Sequence, residues 1–236
     1  MTRDLVYGRR PVRELLRGSR EVLELWASER ALRSEAWLRE VERPRTHTKL
    51  ERDLAEAAGT RDHQGVVAWC EPFHYADAFE LASGPAPLVA CLDQVSDPRN
   101  LGAVIRSAEG AGASGVVVPA HGSARVTAAV CRSSAGAVEH LPVAVVANLA
   151  RYLADIKSGE LWIVGAVGGS GTPMWKADLS GGIAFVLGAE GKGLRPLVRR
   201  TCDLEVSIPQ LGQVESLNVS VAAALLLYEA RRQRDG

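Results

Sequence analysis

Three short stretches carry the polar side chains best placed for chemistry. In DQVSDPRNLGAVIRSAEGAG (residues 93–112), Pro98 suits the start of a helix, so Asn100 falls in its first turn and Arg106 about two turns further along. Taken singly, Asn100 reads as a polar cap and Arg106 as a surface cation, although a guanidinium is also the better fork for phosphate oxygens. In LGAEGKGLRP (187–196), Gly188, Gly191 and Gly193 surround Glu190 after an apolar run, and glycines there let backbone amides approach a ligand. In SIPQLGQVESLNVSVAAALLLYEARRQR (207–234), a strand ends at Ile208 and a glycine-bearing loop leads to Ser216, read as the N-cap of a helix that takes in Leu217 and Asn218.

Two of the glycine patterns imitate commoner nucleotide motifs and depart from them. A phosphate loop needs glycine five residues ahead of its Gly-Lys pair, where Val186 stands, and Ser or Thr after Lys192, where Gly193 stands. GAGASG (110–115) has the spacing of a dinucleotide fingerprint, but it follows a helix and precedes the strand GVVVP, the reverse of the required order. Cys70, Cys91, Cys131 and Cys202 are widely spaced with no CxxC pair, which argues against zinc clips and a secreted disulfide framework; they read as reduced, mostly buried thiols. His121 and His140 read as loop or cap residues.

The elements that must position these stretches follow from periodicity. From residue 88 the order is strand 88–92, helix 98–112, strand 116–118, helix 126–136, strand 142–146, helix 149–156, strand 161–166, strand 183–187, helix 194–201, strand 204–208 and a final helix from 216 to about 234. Such alternation predicts an α/β domain with a largely parallel sheet covered on both faces. Ligands of open parallel sheets sit beyond the carboxyl ends of the strands, where all three stretches fall. The final helix has almost no polar face, which predicts that it packs between the sheet and something further, a second subunit or more of the same chain.

The N-terminal third differs in composition. The net charge is zero, yet the first 80 residues hold 14 basic and 15 acidic side chains out of 28 of each in the chain. Residues 12–16, 36–41 and 50–58 read as helices, and 22–27 and 65–70 as strands, a small alternating α/β unit. LASGPAP (81–87) interrupts regular structure, so the expected division is a domain at 1–72, a linker at 73–87 and a domain at 88–236. Arg3, Arg9, Arg10, Arg13 and Arg17 gather about the first helix against Asp4 and Glu14; Arg9, Arg10 and Arg13 are the candidate RNA contacts, a solvated helix face being the alternative. With 236 residues, 47% hydrophobic and 24% charged, the composition excludes disorder and fibrous repeats. No apolar run reaches the roughly 20 residues that cross a bilayer, and a cytoplasmic protein without membrane contact is expected.

In order and spacing, NLGAVIRSAEGAG, LGAEGKGL and IPQLGQVESLNVSVAAALLLYE resemble motifs 1, 2 and 3 of the SpoU (TrmH-type) RNA ribose 2′-O-methyltransferases, over about residues 88–234. YGRRPVRELLRG (7–18) is similar to the start of the ribosomal-protein-like substrate-binding domain of the subgroup that methylates a guanosine in 23S ribosomal RNA. The resemblance implies a C-terminal α/β domain of SPOUT type with a deep trefoil knot, S-adenosylmethionine bound in the knotted loops, and a homodimer that would account for the apolar final helix. It implies Gly188, Ile208 and Leu217 as cofactor-binding positions, the loop after Ala166 as an adenine wall, and Asn100, Arg106, Glu190, Ser216 and Asn218 as the polar active-site set.

The implied reaction is an in-line displacement in which an RNA ribose 2′-oxygen attacks the sulfonium methyl and S-adenosylhomocysteine leaves. The sulfonium is already activated, so no metal is expected, and the protein's contribution is alignment, which for well-oriented reactants is worth roughly 7–11 kcal/mol. Arg106 is read as a clamp on the target's phosphate, since arginine is charged at neutral pH; the 2′-proton goes to Arg106, a phosphate oxygen or water. Asn100 and Ser216 would orient the ribose or Arg106, Asn218 the loop, and Glu190 would brace the glycines. The chain departs from the family where Gly122 precedes Ser123 in place of a frequent Arg, where Ser133 and Ser134 occupy a helix, and where Gln210 replaces a common Met. Two other readings are a methylase of transfer RNA or of a resistance-conferring rRNA site, and a non-catalytic RNA-binding or assembly factor. Intact Asn100, Arg106, Ser216 and Asn218 weigh against the last.

Overall fold

The computed structural model describes residues 2–189, 191–213 and 216–236. They form two units, residues 2–74 with Arg125–His140, and Tyr75–Ala124 with the rest of the chain from Leu141.

The first unit runs β1 (Asp4–Tyr7), α1 (Arg9–Leu15), β2 (Val22–Ala27), α2 (Glu29–Ser34), α3 (Trp37–Glu40), β3 (Thr46–Thr48), α4 (Glu51–Ala58) and β4 (Val66–Cys70). Its sheet has the order β1-β4-β2-β3, with β4 antiparallel to both neighbours and β3 parallel to β2. β4 is central and buried along its whole length, which is why VVAWC carries no polar alternation. β1, α2 and β3 were not legible from periodicity: β3 is three residues long and α2 buries only Ala31. Ser28 caps α2, accepting from the Ala31 N–H at 3.3 Å.

α7 (Ala128–Ser133) also belongs to the first unit, and the second unit contains α5 (Ala78–Leu81), β5 (Leu88–Asp93), α6 (Pro98–Gly110) and β6 (Gly115–Pro119). It continues with β7 (Val143–Val146), α8 (Leu149–Ile156), β8 (Leu161–Ala166), β9 (Thr172–Pro173), β10 (Gly182–Gly188), α9 (Pro196–Thr201), β11 (Leu204–Ser207) and α10 (Val219–Asp235). Seven strands lie in the order β7-β6-β5-β10-β8-β11-β9, and every pairing is parallel. β5 and β10 lie side by side in the middle of the sheet and are buried along their length up to Gly188, which is half-buried; Asp93 is the one polar residue among them and is in register with Gly188. The chain therefore lays β10 between β5 and β8 after both have formed part of the sheet order, and the carboxyl ends of β5, β10, β8 and β11 lie side by side.

Residues 73–87, expected as a linker, include α5, whose Ala78 and Leu81 are buried and whose Ala78 carbonyl accepts from Tyr152 Oη at 2.7 Å. The final helix begins at Val219 rather than Ser216, because the Asn218 carboxamide takes the capping role, accepting from the Ser220 N–H at 2.9 Å. Val219, Ala223, Leu226, Leu227 and Ala230 bury one face of α10, which packs on α6. Val221, Leu225 and Tyr228 form a second apolar stripe at helical spacing and are 47%, 40% and 51% exposed. Among the described residues no helix is long and apolar enough to cross a membrane.

Residues 125–140 pack with the first unit through an ion pair. Arg20 donates from Nε to Glu139 Oε2 at 2.9 Å and from Nη2 to Glu139 Oε1, and both side chains are buried. Arg20 also donates to the Glu71 carbonyl at 3.2 Å. Ala135 and Gly136, both at positive φ, end α7 before the expected 136, and a Cβ on Gly136 would stand 2.6 Å from Glu14 Cβ. All four cysteines are free. Burial pushes the Cys70 and Cys202 thiols up to about 11 and Cys131 to about 12, so they stay protonated at neutral pH.

Removing one partner of a buried pair strands the other charge, which costs about 3–5 kcal/mol. Arg20→Met is expected to lower the urea midpoint of the first unit, and adding Glu139→Leu should recover most of the loss, both read by tryptophan fluorescence.

Candidate active site at the strand ends

The carboxyl ends of β8, β10 and β11 enclose a cavity of about 360 Å³. Residues 166–168 form one wall, 187–189 with Gly191 and Gly193 another, and Val206, Ile208, Leu217, Val219 and Ala222 the remainder, with Gln210 and Ser216 at its polar side. Gly188, Ile208 and Leu217 are thus brought together from two stretches of sequence, and the loop after Ala166 stands beside them.

The glycine-rich loop folds back on the strand that leads to it. Lys192 and Gly193 N–H groups donate to the Ala189 carbonyl at 3.3 and 3.0 Å, and Gly191 and Gly193 occupy the left-handed region at φ 72° and 64°. A Cβ on Gly188 would stand 2.2 Å from the Gly193 carbonyl oxygen and 2.5 Å from the Leu194 nitrogen, so only glycine permits this return. The far end of the loop is tied to β5: buried Asp93 accepts from the Arg195 N–H at 2.8 Å and from Arg195 Nε at 2.7 Å. Sequence reasoning missed Asp93 and Arg195; the available signal was an acid ending the otherwise apolar LVACLD strand.

Of the polar set, Asn100 and Asn218 meet. Asn218 Nδ2 donates to Asn100 Oδ1 at 3.0 Å while its own Oδ1 caps α10, so one carboxamide joins the first turns of α6 and α10. A second cavity of about 380 Å³ includes Asn100 and shares Ala189 and Val219 with the first. Asp97 caps α6 by accepting from the Arg99 N–H at 2.8 Å, and its hydrogen bond to the Arg99 side chain holds its carboxyl below the usual range. Arg106 is exposed on α6 and lines neither cavity of its own chain. Glu190 lies outside the described residues.

In the first unit, Arg9 donates from Nε to the Gln64 carbonyl at 3.1 Å and from Nη1 to Glu35 at 2.9 Å, so its charge is committed internally. Arg10 and Arg13 are exposed. Gly122 takes φ 75°, a conformation that the arginine frequent in the family would adopt only with strain.

Residues 87–228 match the SpoU rRNA methylase family, and residues 5–76 match the RNA 2′-O ribose methyltransferase substrate-binding domain. The chain belongs to the SpoU rRNA methylase family. It is accordingly an RNA 2′-O-methyltransferase that uses S-adenosylmethionine. It is 44% identical over 217 residues to the 23S rRNA (guanosine-2′-O-)-methyltransferase RlmB of Bordetella pertussis, covering 89% of this chain and 88% of that protein. It is 36% identical to the putative TrmH family tRNA/rRNA methyltransferase YacO of Bacillus subtilis, covering 98% and 96%. Against an uncharacterized Synechocystis tRNA/rRNA methyltransferase it is 36% identical but spans only 63% of that relative's length. Among solved structures, the SpoU methyltransferase AviRb of Streptomyces viridochromogenes in complex with AdoMet superposes with a TM-score of 0.83 at 28% identity, covering 99% of this chain and 91% of that one.

The first cavity of this SpoU member suits the donor on its own features. Its volume is in the range of small-ligand sites, about 300–1,000 Å³. Leu187, Val206, Ile208 and Leu217 give it apolar walls of the kind a flat purine packs on, and small or β-branched residues line it at 166–168 and 188–189. Gly188→Ala is expected to cost at least about 100-fold in S-adenosylmethionine affinity by calorimetric titration, as the loop must open to admit the methyl. Asp93→Asn, which keeps the volume and loses the charge, should weaken binding by a smaller factor.

Proposed function

We propose that this protein methylates the ribose 2′-oxygen of a guanosine in 23S ribosomal RNA, with the first cavity as the seat of the methyl donor. The observation that carries the reading is the Asn100–Asn218 hydrogen bond, which joins two sequence motifs 118 residues apart and whose Asn218 stands between Leu217 and Val219 on the wall of that cavity. The name of the Bordetella relative and the match of residues 5–76 to a substrate-binding domain support the choice of substrate. Threading of the SPOUT knot and a cytoplasmic setting, where ribosomal RNA is processed, belong to the same proposal.

S-adenosylmethionine, when bound, supplies a methyl group on a positively charged sulfur. Leu187, Ile208 and Leu217 exclude water from one side of that group, and the glycine loop fixes its direction. Ser216 and the Asn100–Asn218 pair orient the ribose hydroxyl. Arg106, reaching the site across the proposed dimer, holds a phosphate flanking the target nucleotide by paired donors, and the hydroxyl proton passes to a phosphate oxygen or to water as the new C–O bond forms and the C–S bond breaks. No residue needs to store the methyl, and no metal is required for an already activated group.

A homodimer is part of the proposal. The Val221, Leu225 and Tyr228 stripe faces outward on α10, a Cβ on Gly110 of α6 would lie 2.8 Å from Tyr228 Oη, and this helix pair also carries Arg106. A second copy covering the stripe would desolvate three large apolar side chains. In the first unit, Arg10 and Arg13 are the proposed RNA contacts.

Mapping of ribose methylation in 23S and transfer RNA from cells lacking this protein is expected to show loss at one 23S guanosine, restored by the wild-type chain. No change at any site would contradict the reading. Arg106→Lys, which keeps the charge and loses the fork, is expected to lower kcat about 100-fold with donor affinity unchanged; near-normal turnover would refute the clamp.

A further inference from the structure

The second cavity has a chemistry of its own. Gln94, Ser96, Asp97, Asn100 and Lys192 line it, and Ala189 and Val219 form the wall it shares with the donor cavity. Among the described residues its one carboxylate is already neutralised, since Asp97 Oδ2 accepts from Arg99 Nη2 at 3.0 Å and from Arg99 Nε at 3.2 Å. Its single cation, Lys192, is exposed and has no ion-pair partner among the described residues. The described lining residues therefore present net positive charge to an occupant.

Gln94 adds a recognition group. It sits at φ 62°, in the left-handed region that side chains other than glycine, Asn and Asp rarely adopt, directly after the Asp93 anchor. Its side chain lies over Gly122, where a Cβ would stand 3.0 Å from Gln94 Nε2, so the glycine at 122 leaves the space that the amide fills. A carboxamide offers one donor and one acceptor side by side, the pattern that reads the edge of an unstacked base.

We propose that this cavity seats the acceptor nucleotide of a single-stranded RNA segment, with Lys192 on its phosphate and the Gln94 carboxamide on its base edge. The assignment rests on the RNA-methylating reading above and adds two specificity residues to it. Lys192 sits within the glycine loop that also walls the donor cavity, so one loop serves both substrates: Gly188, Gly191 and Gly193 line the donor side and Lys192 the RNA side.

The test uses the full chain, an unmodified 23S rRNA transcript as probe, and filter binding at saturating S-adenosylhomocysteine over a range of salt, so that no turnover is needed. Lys192→Gln is expected to weaken RNA binding about tenfold and to reduce the slope of log K against log salt by about 0.7, the loss of one single-strand phosphate contact. Gln94→Ala should weaken binding with the slope unchanged, and both variants should keep the wild-type donor affinity in calorimetry. Wild-type RNA affinity and slope in Lys192→Gln, or loss of donor affinity in its place, would overturn the proposal. Failure of the wild-type chain to methylate the transcript would refute the assigned substrate, while the salt slope would still decide the role of Lys192.

Discussion

A carboxylate removed from water at the end of a buried strand must be answered by donors, or the strand does not form. Asp93 ends β5 in that situation, and the donors that answer it are the backbone and side chain of Arg195, 102 residues away. The constraint sets the course of the chain between them. β10 runs in register beside β5 to Gly188, and the segment that follows has to turn back at once to bring Arg195 to Asp93. Glycines at 188, 191 and 193 are what such a return requires, and the loop that results walls both cavities.

The second tie is smaller and completes the arrangement. Asn218 spends its oxygen on capping α10 and its nitrogen on Asn100, fixing where α10 begins relative to α6. The start of α10 places Leu217, Val219 and Ala222 on the donor cavity, while Asn100 falls on the second one. In the proposed reaction donor and acceptor flank Ala189 and Val219, and a methyl transfer asks chiefly for such alignment.

Much of this was legible in the sequence. β5, β10 and α6 announce themselves as apolar runs and by Pro98, and the motif residues Gly188, Ile208, Leu217, Asn100 and Asn218 do converge on the strand ends. What was not legible depended on partners distant in sequence. Ser216 and Asn218 are equally good caps by residue type, and the contact to Asn100 selects the second. Arg9 belongs to a row of cations until Glu35 and Gln64 claim it. Nothing in residues 125–140 shows that Glu139 answers Arg20, 119 residues earlier, and so packs with the first unit. Gln94 and Lys192 have no periodicity to mark them, and only the cavity between them does.

The central claim is that the loop fixed by Asp93 and Arg195 forms one wall of the donor site. A crystal structure of the chain grown with S-adenosylhomocysteine tests it most directly. Density for the adenosine is expected between residues 166–168 and the pair Ile208 and Leu217, with the Asp93 to Arg195 contacts intact. Density elsewhere, or a bound ligand with Arg195 drawn away from Asp93, would contradict it.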